Sequence, residues 1–152
     1  MRLQNVRSLL SLSSSALRLA LAAQQVRHER VDHVIPQLQA ARYLPERADV
    51  EEAKRATLLA CRLLGRLGML NSCLTRSLVL GSLISDRPGV VINFGFRPND
   101  TVTEGHAWIS CGQQVLEFDV GATQNVSDYI IARRLPLQRP ASEHSSNDRP
   151  HR

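Results

Sequence analysis

Hydrophobic positions change their period near the middle of the chain, from helical in the first half to alternating in the second. Val50, Ala53, Thr57, Leu58, Cys61, Leu64 and Leu67 or Gly68 recur at spacings of three and four, as one buried helix face requires. Asp49 stands where an N-cap is needed. Glu51 and Glu52 suit the positive end of the helix dipole, and Arg62 and Arg66 lie toward the other end. Gly65 and Gly68 mark the exit, after which Asn71 and Ser72 offer side-chain oxygens to cap a second helix beginning near Cys73. There Leu74, Leu78 and Gly81 form one row and Ser77, Leu80 and Ile84 another, so burial over much of the surface is expected until Asp86, Pro88 and Gly89 end the helix.

Beyond Gly89 the residues favour strands. Val90 to Phe96 is rich in β-branched and aromatic side chains, and Arg97-Pro98-Asn99-Asp100 is loop chemistry. His106 to Cys111 and Gln114 to Val120 read as two strands of a hairpin turning at Gly112-Gln113. Helices first and antiparallel strands second make the predicted class α+β. Ser127 to Arg134 is expected as a closing helix, and the tail from Gln138 as disordered. The chain is thus divided into a helical extension over 1–48, a domain over 49–137 and a tail over 138–152.

Ahead of that domain, Leu9, Leu12, Leu17, Leu21 and the alanines between them give a rough helical stripe, suited to a partner, a membrane surface or the protein's own core. As a secretory signal the segment fails, because Arg18 and Ser13 to Ser15 break its apolar region and no run of about 18 apolar residues exists. Val31 to Ala41 reads as a short mixed segment interrupted by Pro36, and Pro45 sets a corner before the next helix.

Composition narrows the class. The 152 residues are 43% hydrophobic and 22% charged, which excludes disordered, collagen-like and disulfide-scaffold chains. A formal net charge of +5 admits an anionic partner, but the arginines are spread over many segments, and a basic nucleic-acid-binding module would leave the hairpin unexplained. Cys61, Cys73 and Cys111 form no CxxC pair, which favours a reducing, cytoplasmic setting and leaves any zinc site with His106 without ligand spacing.

Covalent catalysis by a thiol needs a thiolate, an imidazole to exchange its proton, and an acid to orient that imidazole. Cys73 is placed at a helix N-terminus, where free N–H groups and the dipole favour the thiolate. His106 opens the first hairpin strand. Glu117 and Asp119 share one face of the second strand, which the hairpin brings back alongside His106, and geometry leaves both open as the acid. Cys61 and Cys111 read as core thiols, whereas His28, His33, His144 and His151 lie in polar surroundings. Trp108 shares the parity of His106 and either shields the imidazole or fills the core. Arg76, near Cys73 on the same helix, is a substrate-binding or thiolate-stabilising group if it is not a surface ion pair.

The ordered set Cys73-Leu74-Thr75-Arg76-Ser77-Leu78, an intervening strand, and Gly105-His106-Ala107-Trp108-Ile109 resembles the transglutaminase-like cysteine-peptidase superfamily. Within it, the chain is most similar to the lasso-peptide leader peptidases related to microcin-processing B proteins, over about residues 50 to 125. The resemblance implies a transglutaminase-like, papain-like core with Cys73 as nucleophile, His106 as general base and the acid on the second hairpin strand. Counted from Gly112, the family's acid falls nearest Glu117. Phe118-Asp119-Val120-Gly121 looks instead like the Asp-Val-Gly of arylamine acetyltransferases, and Asp119 is preferred. The implied function is cleavage of the leader from a ribosomally made precursor without a cofactor. Its implied partners are that precursor peptide, a separate leader-recognition protein and an asparagine-synthetase-like macrolactam cyclase, with no nucleic acid. An acyltransferase using the same triad is the alternative.

Overall fold

In order along the chain are α1 (Arg2–Ala23), α2 (Val31–Gln39), α3 (Val50–Arg66), α4 (Cys73–Leu83), β1 (Val90–Arg97), β2 (Glu104–Cys111), β3 (Gln114–Leu116), a 3-10 turn (Val126–Asp128) and β4 (Ile130–Pro136). The computed structural model describes residues 2–24, 30–40, 48–69, 72–98, 104–116 and 126–137. Four helices thus precede one four-stranded antiparallel sheet of order β3-β2-β1-β4, an α+β architecture.

Capping fixes where α3 and α4 begin. The Asp49 carboxylate accepts the N–H groups of Glu51 and Glu52 at 3.0 and 3.1 Å, and Ser72 Oγ accepts that of Thr75 at 3.1 Å. Ser77 through Leu83 are all buried, because α1 and α3 cover one side of α4 and the sheet covers the other. Gly81 is what permits the sheet's approach. A Cβ there would collide with the Leu137 side chain and lie 2.9 Å from Ile109 Cδ1.

The N-terminal stripe differs from the expected one in part, at Leu17 and Leu21. Leu12, Ala16, Leu19, Ala20 and Ala23 point inward, while Leu17 is half-buried and Leu21 exposed. The partner surface explains this. α3 presents Ala53, Ala56 and Ala60, and two alanine-rich faces bring helices closer than leucine ridges would. These α1 residues belong to the same core as Leu78, Leu83, Ile92 and Ile109. Pro36 does not interrupt its segment. It lies inside α2, where the buried Val34, Ile35 and Leu38 hold the helix against the core despite the missing N–H. The corner expected at Pro45 falls outside the described residues.

In the sheet, β1 pairs with β2 from Val90↔Cys111 to Arg97↔Glu104, and β2 turns into β3 through Gly112 at φ 59°. Ile92 and Ile109, directly opposed, face α4. Strand alternation puts Asn93, Gly95, His106, Trp108 and Ser110 on the other face, where Asn93 Nδ2 donates to Ser110 Oγ at 3.0 Å.

The closing helix expected over Ser127 to Arg134 is not formed. Its start is a single 3-10 turn, and Ile130–Pro136 is an edge strand on β1 with a bulge opposite Phe94/Gly95. The β-branched pair Ile130-Ile131 suits a strand, and the vacant edge of β1 supplies backbone partners that no local helix signal outweighs.

Candidate active site

Cys73 is the first residue of α4, and its sulfur meets β2 at Ala107 and His106. The Ala107 N–H donates to Cys73 Sγ, while one helical turn along Ser77 Oγ donates to the Ala107 carbonyl at 3.0 Å. Residues at i and i+4 of α4 therefore hold both backbone polar groups of one strand residue. The neighbouring residue on β2, His106, brings its imidazole into hydrogen-bonding contact with the same sulfur.

The two described helix thiols are pushed in opposite directions. Burial is the largest influence on Cys73 and disfavours the thiolate. The His106 hydrogen bond, the Ala107 N–H, the His106 charge and the Leu74 N–H together outweigh it, so the thiol is held below its ordinary range. For Cys61 burial prevails and pushes the thiol up to about 11, with the Arg76 guanidinium offsetting only part. The cation on α4 thus acts on the buried thiol of α3. Cys111 is half-buried and donates weakly to the Pro88 carbonyl at 3.6 Å.

Around His106 the structure gathers Trp108, named from the sequence, with Tyr129, Arg97 and Glu104, which sequence reading missed. Trp108, buried on the same sheet face, stacks with the imidazole at a centroid distance of 5.8 Å and an interplanar angle of 18°. Tyr129 contacts it at 5.1 Å and 37°, and lies 6.1 Å from Trp108. Gly95, directly opposite His106, leaves room for the indole: a Cβ there would sit 2.9 Å from Trp108 Cη2. The Arg97 guanidinium lies 5.5 Å above the Tyr129 ring and forms an ion pair of 2.6 Å with Glu104, its cross-strand partner. Arg97 holds the Glu104 carboxyl below its usual range against the opposing effect of burial, with Tyr129 and His106 contributing less. Burial, then the Glu104 charge, raises the Tyr129 phenol. Its hydroxyl makes no hydrogen bond of good geometry, and the Glu104 carboxylate is a looser, mainly electrostatic neighbour.

Glu104 was visible as an acid sharing the parity of His106. Tyr129 was hidden by the helix expected there. The proposed acids, Asp119 and Glu117, lie outside the described residues. Among the described residues no group of three His, Cys, Asp or Glu side chains is placed to hold a metal ion, and no helix is long and apolar enough to cross a membrane.

A helix-borne thiol touching a strand-borne imidazole is a constellation suited to cysteine peptidases and acyltransferases that work through a thioester. The sequence agrees with that class: a family model described as the transglutaminase-like superfamily matches residues 11–141, and the chain belongs to this superfamily. No curated protein and no solved structure gives a significant match. Membership points to cysteine-peptidase or acyltransferase chemistry on the α+β core described above.

Proposed function

We propose that the protein is a cytoplasmic cysteine peptidase that removes the leader from a ribosomally made lasso-peptide precursor. The contact between the Cys73 sulfur and the His106 imidazole carries this reading, and the resemblance of the Cys73–Leu78 and Gly105–Ile109 strings to leader peptidases gives the substrate class. His106 takes the Cys73 proton, and the thiolate attacks the carbonyl at the leader–core junction. The N–H group of Cys73, ahead of the Thr75 N–H that Ser72 occupies, is assigned to the oxyanion. The C–N bond breaks as His106 returns its proton to the leaving amine, and water, deprotonated by His106, hydrolyses the thioester.

Asp119 is the proposed orienting acid. The Phe118-Asp119-Val120-Gly121 string supports this choice over Glu117. Trp108 is proposed to flank the bound peptide. Arg76 is the weaker assignment for substrate, since its charge acts on Cys61. A leader-recognition protein and a macrolactam cyclase complete the proposed system. Their proposed docking side is the Leu/Arg surface of α3, where Leu59, Leu63 and Leu67 are exposed beside Arg55, Arg62 and Arg66.

The test is incubation of the protein with a purified lasso precursor and its leader-recognition protein, followed by mass spectrometry. Cleavage at one junction that Cys73→Ala abolishes is expected. Cleavage that persists in Cys73→Ala contradicts the proposal, and product formed only when an amine acceptor is added supports the acyltransferase instead.

A further inference from the structure

His106 has two tasks in the proposed reaction: accepting the proton of Cys73 and later delivering one to the leaving nitrogen. Both depend on where the ring nitrogens point, and rotation of the imidazole about its χ2 bond would misdirect them. Groups that face this imidazole come from at least three segments. They include Cys73 of α4, Trp108 and Glu104 of β2, and Tyr129 just ahead of β4.

We infer that Tyr129 is a positioning residue for His106, holding the imidazole against the Cys73 sulfur by ring contact, with the Arg97–Glu104 ion pair bracing Tyr129. Three observations meet here. The phenol ring is only 5% exposed and contacts the imidazole at 5.1 Å. Trp108 touches both rings, at 5.8 and 6.1 Å, so tilting the imidazole disturbs two aromatic contacts at once. Arg97 spans the phenol face at 5.5 Å while bound to Glu104 at 2.6 Å, which fixes Tyr129 from the side of β1 and β2. The hydroxyl has no well-formed hydrogen bond, so the ring carries the effect. Tyr129 follows the 3-10 turn, whose Val126 carbonyl accepts the Tyr129 N–H at 3.2 Å, and that turn anchors its backbone as β4 begins.

This inference rests on Cys73 and His106 being the reactive pair, and its test has one readout that needs no peptide substrate. Iodoacetamide alkylation of Cys73 is followed by peptide mass spectrometry across pH in the full chain, alongside precursor cleavage. Tyr129→Ala is expected to move Cys73 alkylation to higher pH and to lower kcat by about 10²-fold with KM nearly unchanged, since a small misplacement of a catalytic group costs that much. Tyr129→Phe is expected to match the wild type in both. If Tyr129→Ala loses its folded circular dichroism, Tyr129→Leu restores apolar volume without the ring and is expected to show the same two losses. Wild-type alkylation and kcat in the folded ring-deleted variant would overturn the inference, as would Tyr129→Phe failing as badly as Tyr129→Ala. A wild-type Cys73 that alkylates like an ordinary thiol overturns the reactive pair itself, a separate result that removes this inference with it.

Discussion

Replacing Ser77 with alanine separates the positioning of the nucleophile from general stability. Ser77 is buried and its hydroxyl donates to the Ala107 carbonyl at 3.0 Å, one turn from the Cys73 contact to the same strand residue. Alanine leaves that carbonyl without its donor in a water-poor position, which costs about 1–3 kcal/mol. For a chain of this size each kcal/mol lowers Tm by roughly 2–4 °C. Ser85→Ala is the matched control: its buried hydroxyl bonds the Ser82 carbonyl at 2.8 Å, a local contact at the far end of the same helix. Thermal melts by circular dichroism should show both variants destabilised by similar amounts. Stopped-time alkylation of Cys73 near neutral pH should then slow in Ser77→Ala alone, by about three- to tenfold, because the Ala107 N–H aligns less well on the sulfur. Equal alkylation rates in Ser77→Ala, Ser85→Ala and wild type would refute the idea that α4 and β2 are locked at Ala107 for the benefit of the thiol.

Three further outcomes follow from the same structure. Gly95→Ala places a methyl 2.9 Å from Trp108 Cη2 and 3.0 Å from the Ile130 carbonyl oxygen, so the indole must move. A stability loss of about 1–3 kcal/mol is expected, with a changed emission spectrum from the chain's single tryptophan. Cys61, with its thiol raised to about 11 from an ordinary 9.0, stays protonated when the unfolded chain has already ionised. Stability therefore falls as pH rises through that window, by on the order of 2–3 kcal/mol, and Cys61→Ala melts should show a shallower fall between those pH values. Asp49→Ala removes the acceptor of two N–H groups and should cost about 1 kcal/mol in chemical denaturation while leaving precursor cleavage unchanged.

The parts of the fold written locally were legible in the sequence. Asp49 and Ser72 mark the starts of α3 and α4, and Gly112 the hairpin turn, because each acts within about four residues of itself. The Cys73–His106 pair was legible for the same reason: a helix start and a hairpin start are both local signals. What was missed depends on distant partners. Of the expected α1 stripe, Leu12, Ala16 and Ala20 do face inward, but the alanines of α3 select Leu19 and Ala23 in place of Leu17 and Leu21. Residues 127–134 carry Ser, Asp and apolar positions that suit a helix, and only the open edge of β1, some forty residues earlier in the chain, makes them a strand. Losing that strand also lost Tyr129. The segment expected to be interrupted at Pro36 is helical because its three buried apolar residues meet the core, a fact absent from its own composition.

Contact with His106 lowers the pKa of the Cys73 thiol. Site-resolved alkylation of Cys73 across pH, in wild type and His106→Ala, measures it directly. Wild-type Cys73 should react at lower pH than an ordinary thiol and well before Cys61, and removal of the imidazole should shift its reaction to higher pH, where burial then governs the sulfur. Identical profiles for Cys73 in the two proteins would contradict the claim.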